Sequence, residues 1–157
     1  MKKLLAAVLL CVSAFSLKAN VDGYFMLSVF SPGQLPVPMT HLYGGRVSFL
    51  YGECQELFGI DLGCVGRVRE RMYGIHAGVA QVVGTDAAGL QVGLLELDES
   101  DFDGLQIGLW NDVSGTTRGL QIGLVNKTST LAGCQIGLVN VCLNHRCPVL
   151  PFFNVRW

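Results

Sequence analysis

Eight residues recur almost unchanged within one short stretch: Gly-Leu-Gln-Ile-Gly-Leu-Val-Asn from Gly119 to Asn126, and the same with Cys134 in place of Leu from Gly133 to Asn140. Fifteen-residue steps back from Gly119 land on Gly104, Gly89, Gly74, Gly59 and Gly44, and a fourteen-residue step forward lands on Gly133. The seven units cover residues 44–141. So constant a period outweighs every other feature, because it demands one structural unit stacked repeatedly on itself.

Within each unit the first, third and fifth residues after the glycine are apolar, as in Leu105, Ile107 and Leu109 or Leu120, Ile122 and Leu124. That alternation is the period of a strand. The second position holds Arg46, Asp61, His76 and then Gln91, Gln106, Gln121 and Gln135; the fourth holds Ser48 and then glycines. Asn111, Asn126 and Asn140 stand past the strand, with Tyr51, Gly66, Gln81 and Glu96 in the earlier units. Leu57, Met72, Ala87, Phe102, Thr117 and Leu131 each precede the next glycine by two.

These columns predict an all-β fold, a parallel β-solenoid (β-roll) of about seven 15-residue coils, in which each position stacks on itself at about 4.8 Å. The expected arrangement buries the Leu, Ile and Leu face in a narrow core and leaves the Gln and Gly face as a flat exterior with stacked amides. The alternative is a small antiparallel β-barrel or meander with one strand per repeat, its apolar face toward lipid. Three outward apolar positions per unit are few for a membrane strand of about 9 to 11 residues.

The flanks predict a simple division of the chain. Residues 1–19 have the two lysines, short apolar run and small residues of a signal peptide, with cleavage after Ser16 or Ala19. Residues 20–43 form an N-terminal cap with a strand near Tyr24 to Phe30, 44–141 the array, and 142–157 a C-terminal cap rich in Pro and aromatics. Three of the eleven basic residues lie in the leader, so eight face twelve acidic residues in the remainder, a formal charge of −4. That balance argues against a nucleic-acid partner.

The tandem Gly-Leu-Gln-x-Gly-Leu-x-Asn units, the preceding YGGRVSFLYG and LFGIDLGCVG segments and the closing CPVLPFFN run resemble a family of uncharacterised bacterial exported surface-repeat proteins. The resemblance covers most of the mature chain and implies export, without attaching a catalytic role. Cys64 and Cys134, Gly66 in place of Asn, and His76, Ala77 and Gln81 in the third unit depart from the repeat.

Few residues suggest chemistry. Cys142 and Cys147 are close enough in sequence for a disulfide loop in an oxidising compartment, and with His145 they include zinc-ligand types without the paired spacing of an established site. Cys64 and Cys134 fall in apolar columns and read as small core residues, and His76 as an exposed ladder position. The acidic run from Glu96 to Gly104 has the alternating carboxylates of a calcium loop, but Trp110 stands where its bidentate glutamate belongs. The basic run from Arg67 to Arg71 offers that acidic segment a complementary charge.

No nucleophile with its base, phosphate loop or cofactor motif accompanies these residues. The sequence therefore predicts a non-enzymatic exported surface or envelope module without a cofactor. Its expected interaction face is the flat column of Gln91, Gln106, Gln121 and Gln135, and its expected partner is a protein or envelope component. Outer-membrane association, or a small barrel with a structural or pore role, is the alternative.

Overall fold

The computed structural model describes residues 23–30, 33–35 and 41–157. The expected leader and parts of the 20–43 segment lie outside these. The strands are β1 (Gly23–Phe30), β2 (Gly33–Leu35), β3 (His41–Cys54), β4 (Glu56–Val68), β5 (Met72–Val83), β6 (Ala87–Val92), β7 (Leu95–Asp98), β8 (Phe102–Ile107), β9 (Trp110–Cys142) and β10 (Val149–Arg156). They form a parallel β-solenoid. Strands β3 to β5 each trace most of a coil, β6 with β7 share one, and β9 runs through more than two.

Coil-to-coil pairing is parallel and in step with the repeat: Gly44 lies beside Gly59, Gly59 beside Gly74, Gly74 beside Gly89, Gly89 beside Gly104 and Gly104 beside Gly119. Parallel pairing at the repeat period rules out the antiparallel barrel. Strand β1 pairs in parallel with β3, so the expected N-terminal cap continues the stack, and β2 returns antiparallel along β1. At the other end β10 lies antiparallel on the last coil, from Val149 opposite Val141 to Arg156 opposite Gly133, and covers that edge.

The glycine column is a backbone requirement. Its seven members have φ between +128° and +158°. A Cβ at Gly119 would stand 2.1 Å from the carbonyl oxygen of Gly104 in the preceding coil. No other residue combines that dihedral with so close a stack.

The strand alternation is as the sequence predicts, but the faces are exchanged. Gln91, Gln106, Gln121 and Gln135 are fully buried, whereas none of the first, third and fifth positions of the seven units is buried. The expected interaction face is therefore the interior, and the expected core is the exterior. Hydrophobicity misleads here because each amide is satisfied by the amide stacked on it. Gln106 Nε2 donates to Gln91 Oε1 at 2.6 Å, Gln121 Nε2 to Gln106 Oε1 at 2.7 Å and Gln135 Nε2 to Gln121 Oε1 at 2.7 Å. Asn154 of β10 donates to Gln135 Oε1 at 2.8 Å and closes the ladder. A fully satisfied polar network can be buried without the cost of a lost hydrogen bond.

Apolar burial comes from two other columns. One is the position two before each glycine, where Leu42, Leu57, Met72, Ala87, Phe102 and Leu131 are buried. The second lies in segments whose sequence reads as polar connection: Cys54, Val68, Val83, Val113 and Cys142 are buried there, with polar Asp98 and Thr128 in the same column.

The fourth-position glycines also acquire a reason. At Gly108, Gly123 and Gly137 the Asn of the same coil folds its amide over the glycine, so that a Cβ at Gly108 would lie 2.7 Å from Asn111 Oδ1. Asn111 Nδ2 then donates to Asn126 Oδ1 at 2.7 Å, and Asn126 Nδ2 to Asn140 Oδ1 at 2.8 Å. In the first unit a register shift between Ser48 and Tyr51 puts Gly52, not Tyr51, opposite Gly66.

Candidate functional site: an apolar side on a polar-cored solenoid

Twenty-one outward positions, the first, third and fifth of seven coils, carry apolar residues, cysteine or glycine. The sixth position extends the same side with Leu50, Val65, Ala80, Leu95, Trp110, Val125 and Val139. None of these side chains carries a charge or a hydroxyl. Leu94 is 51 % exposed, Leu109 50 % and Leu138 58 %. Ordinary monomers expose contiguous apolar patches of a few hundred Å², and larger ones mark contact surfaces.

The flanking strands expose apolar residues as well, Phe25 and Leu27 on β1 and Phe153 and Val155 on β10. Elsewhere the exterior carries ion pairs that run along the stack. Arg71 contacts Glu56, which also accepts from His41; Arg69 reaches Glu53, Lys127 reaches Asp112, and Arg118 lies between Asp101 and Asp103. Thus Arg69 and Arg71 are paired with the coil before them, and Asp101 and Asp103 with the coil after them. The expected pairing between the basic and acidic runs is not what these contacts show. A shallow recess of about 290 Å³ lies beside Arg118, lined also by Tyr73, Asp86, Ala87, Ala88, Asp101 and Asp103. Tyr43, Phe58 and Tyr73 stack with centroids 5.1 and 5.4 Å apart along one edge of the apolar side.

The departures at the second and seventh positions belong together in the interior. Arg46, Asp61 and His76 occupy the inward second position of consecutive coils. Arg46 holds Asp61 through two contacts, one of them Nε to Oδ1 at 2.8 Å, and His76 Nδ1 meets Asp61 Oδ2 at 2.9 Å. His76 is fully buried, contrary to the exposed position expected for it. Gly66 replaces Asn because a Cβ there would lie 2.8 Å from Arg46 Nη2 and 2.3 Å from Gln81 Oε1. The guanidinium takes the space of the missing amide. Burial opposes the charged Asp61, but the hydrogen bonds from Arg46 and His76 outweigh it and hold its carboxyl at about 2.

Two further acids are buried without a cationic partner, although Asp98 accepts from the Gln91 and Gln106 amides. Burial, reinforced by Asp98 and Asp61, pushes the Glu96 carboxyl up to about 9, and neither of its oxygens has a hydrogen-bond partner. Asp98 is pushed up to about 7 by burial, against the hydrogen bond from Gln91. Glu96 is in register with Asn111, whose Oδ1 also lacks a donor. A protonated Glu96 would supply one, making the carboxylic acid a member of the amide ladder.

The five cysteines among the described residues are free thiols. Cys142 is buried against the Ser129 carbonyl, and Cys147 is exposed, so the expected loop disulfide is open. His145 Nδ1 is engaged by the Cys147 backbone, 2.8 Å from its oxygen and 3.1 Å from its amide nitrogen. Cys64 is exposed and Cys134 half-buried, so neither is the core residue expected. Among the described residues no three His, Cys, Asp or Glu side chains are grouped to hold a metal ion.

Fold and site together define a β-solenoid with a hydrogen-bonded polar interior and one apolar side. Comparison with family models, curated proteins and solved structures finds no match to this chain.

Proposed function

We propose that this chain is an exported, non-enzymatic envelope protein, a rigid module that works by presenting its apolar side to a partner at the cell surface, the outer membrane or the periplasm. The observation that carries this reading is the exposed apolar side, continuous over seven coils and free of charge. Uncharged apolar patches of that extent mark contact surfaces. The buried Arg, Asp, His and Gln groups are engaged with one another, which is a structural use of residue types that elsewhere perform acid-base work. The signal-like leader and the resemblance to exported surface-repeat proteins supply the compartment.

Cell fractionation with N-terminal sequencing tests the proposal. The expected result is protein in the envelope fraction beginning near Leu17 or Asn20. Recovery from the cytosol with Met1 intact would overturn it.

A further inference from the structure

We propose that the occupant of the apolar side is a second copy of this chain, packed face to face about a two-fold axis that lies along the strand direction and reverses the solenoid axis. The inference rests on the reading of that side as a contact surface.

Three observations select a second copy. The first is area: seven rungs at about 4.8 Å and six residues at about 3.3 Å give a footprint of roughly 30 by 17 Å, about 500 Å² in projection. Two such faces bury about 1,000 Å², the lower bound for a biological interface, and Phe25 and Leu27 of β1 with Phe153 and Val155 of β10 extend the same face by a rung at each end.

The second is charge. Surface-bound lipid-binding elements carry an excess of Lys and Arg toward anionic headgroups. Here the residues beyond the leader carry a formal −4, and Arg69, Arg71, Arg118 and Lys127 are all paired with carboxylates. An anionic leaflet would repel such a chain. A second copy carries the same −4, but on its other sides, and the face brought into contact is itself neutral.

The third is the distribution of side-chain size. Under the proposed symmetry the fourth coil meets itself, the third meets the fifth and the second meets the sixth, with each column facing the same column. Ala77 then faces Ile107, and Cys64 faces Leu124, small against large in both cases. Val92, in the middle column of the middle coil, faces its own copy. A parallel two-fold would instead set Ala77 against Ala77 and leave a gap, which close-packed interfaces avoid.

Sedimentation of the purified chain without detergent, at about 10 μM, measures the assembly. A dimer is expected. Val92→Lys places two ammonium groups against each other at the axis and is expected to weaken association by roughly 100-fold or more while circular dichroism stays that of the wild type, because residue 92 faces outward. Cross-linking then reads the orientation, in a chain carrying Cys64→Val, Cys134→Leu and Cys147→Ser. Ala77→Cys combined with Ile107→Cys is expected to give a disulfide-linked dimer on oxidation, whereas Ala77→Cys alone is not. Within one chain the two positions are two rungs apart, about 10 Å, too far for a bridge.

A monomeric wild type, or cross-linking by Ala77→Cys alone, overturns the proposal. If that monomer floats with phosphatidylcholine vesicles, the apolar side belongs to lipid. That outcome would leave the envelope reading standing while removing the dimer.

Discussion

Gln121 donates a hydrogen bond from Nε2 to Oε1 of Gln106 across 2.7 Å, and both side chains are fully buried. From Gln106 to Gln135 each amide of this column donates to the glutamine of the coil before it and accepts from the next amide along the stack, so the interior is an ordered chain. The loss of one rung strands two neighbours. Gln121→Ala leaves Gln106 Oε1 without its donor and Gln135 Nε2 with only the distant Val141 carbonyl at 3.4 Å, and opens a cavity between them. At about 1 to 3 kcal/mol for each stranded group, the expected loss is about 3 kcal/mol or more. Urea denaturation monitored by circular dichroism measures it; a change below about 0.5 kcal/mol would contradict a buried ladder.

Gly119→Ala tests the backbone half of the design. The φ of +131° is strained for alanine, and its Cβ would meet Gly104 O at 2.1 Å. The stack must open locally, so the variant is expected to lose about 3 kcal/mol or more or to fail to fold. Gly84→Ala provides a comparison without the positive φ: its Cβ would meet Arg69 O at 2.0 Å, so a loss there reports close stacking alone. A Gly119→Ala chain as stable as wild type would remove the requirement.

The buried acids predict that stability falls as pH rises. Glu96 keeps its proton up to about 9 in the folded chain, against 4.5 as its ordinary value, and Asp98 up to about 7 against 3.8. Between those limits the folded state holds protons that the unfolded state has released, so alkali favours unfolding. Asp61 acts in the opposite sense: its contribution is present above 3.8 and is lost as pH falls toward about 2. The expected optimum is near pH 4 to 5. Glu96→Gln supplies the missing donor to Asn111 Oδ1 and is expected to flatten the profile above pH 7. Urea midpoints from pH 3 to 9 read both effects; a wild-type profile that rises from pH 5 to 8 would refute them.

Asp61→Asn leaves the Arg46 guanidinium buried without its counter-charge. Breaking one partner of a buried pair costs about 3 to 5 kcal/mol. Replacing both with apolar residues, Arg46→Met with Asp61→Leu, is expected to cost less than Asp61→Asn alone. A double variant more damaging than the single one would show that the ion pair stabilises beyond compensating its own burial.

The period, the strand alternation and the parallel stack were legible in the sequence because the backbone imposes them at every coil: the glycine column recurs at each step from Gly44 to Gly133. Which face is inside was not legible from hydrophobicity. The better signal is hydrogen-bonding chemistry: an amide carries both a donor and an acceptor, so identical amides at one position satisfy each other down the stack, as Gln91, Gln106, Gln121 and Gln135 do and as Asn111, Asn126 and Asn140 do. Uniformity alone does not decide the face, since Leu94, Leu109, Leu124 and Leu138 are uniform outside while Ala87 lies between Met72 and Phe102 inside. Arg46, Asp61 and His76, in the same column as the glutamines, differ in size and fit only because Gly66 leaves room. The inward run of Val68, Val83 and Val113 was hidden among the polar residues of the connections.

The orientation of the two faces is tested most directly by placing the same charge on each. Ile122 points outward and Gln121 inward, one residue apart on the same strand, so Ile122→Lys and Gln121→Lys differ only in the face that receives the ammonium. Compared at concentrations where both chains are monomeric, Ile122→Lys is expected to keep the wild-type circular dichroism spectrum and a nearly unchanged urea midpoint. Gln121→Lys should lose its folded structure, because a buried unpaired charge has no partner in the ladder. An unfolded Ile122→Lys beside a folded Gln121→Lys would contradict a polar interior, and would return the apolar face to the core.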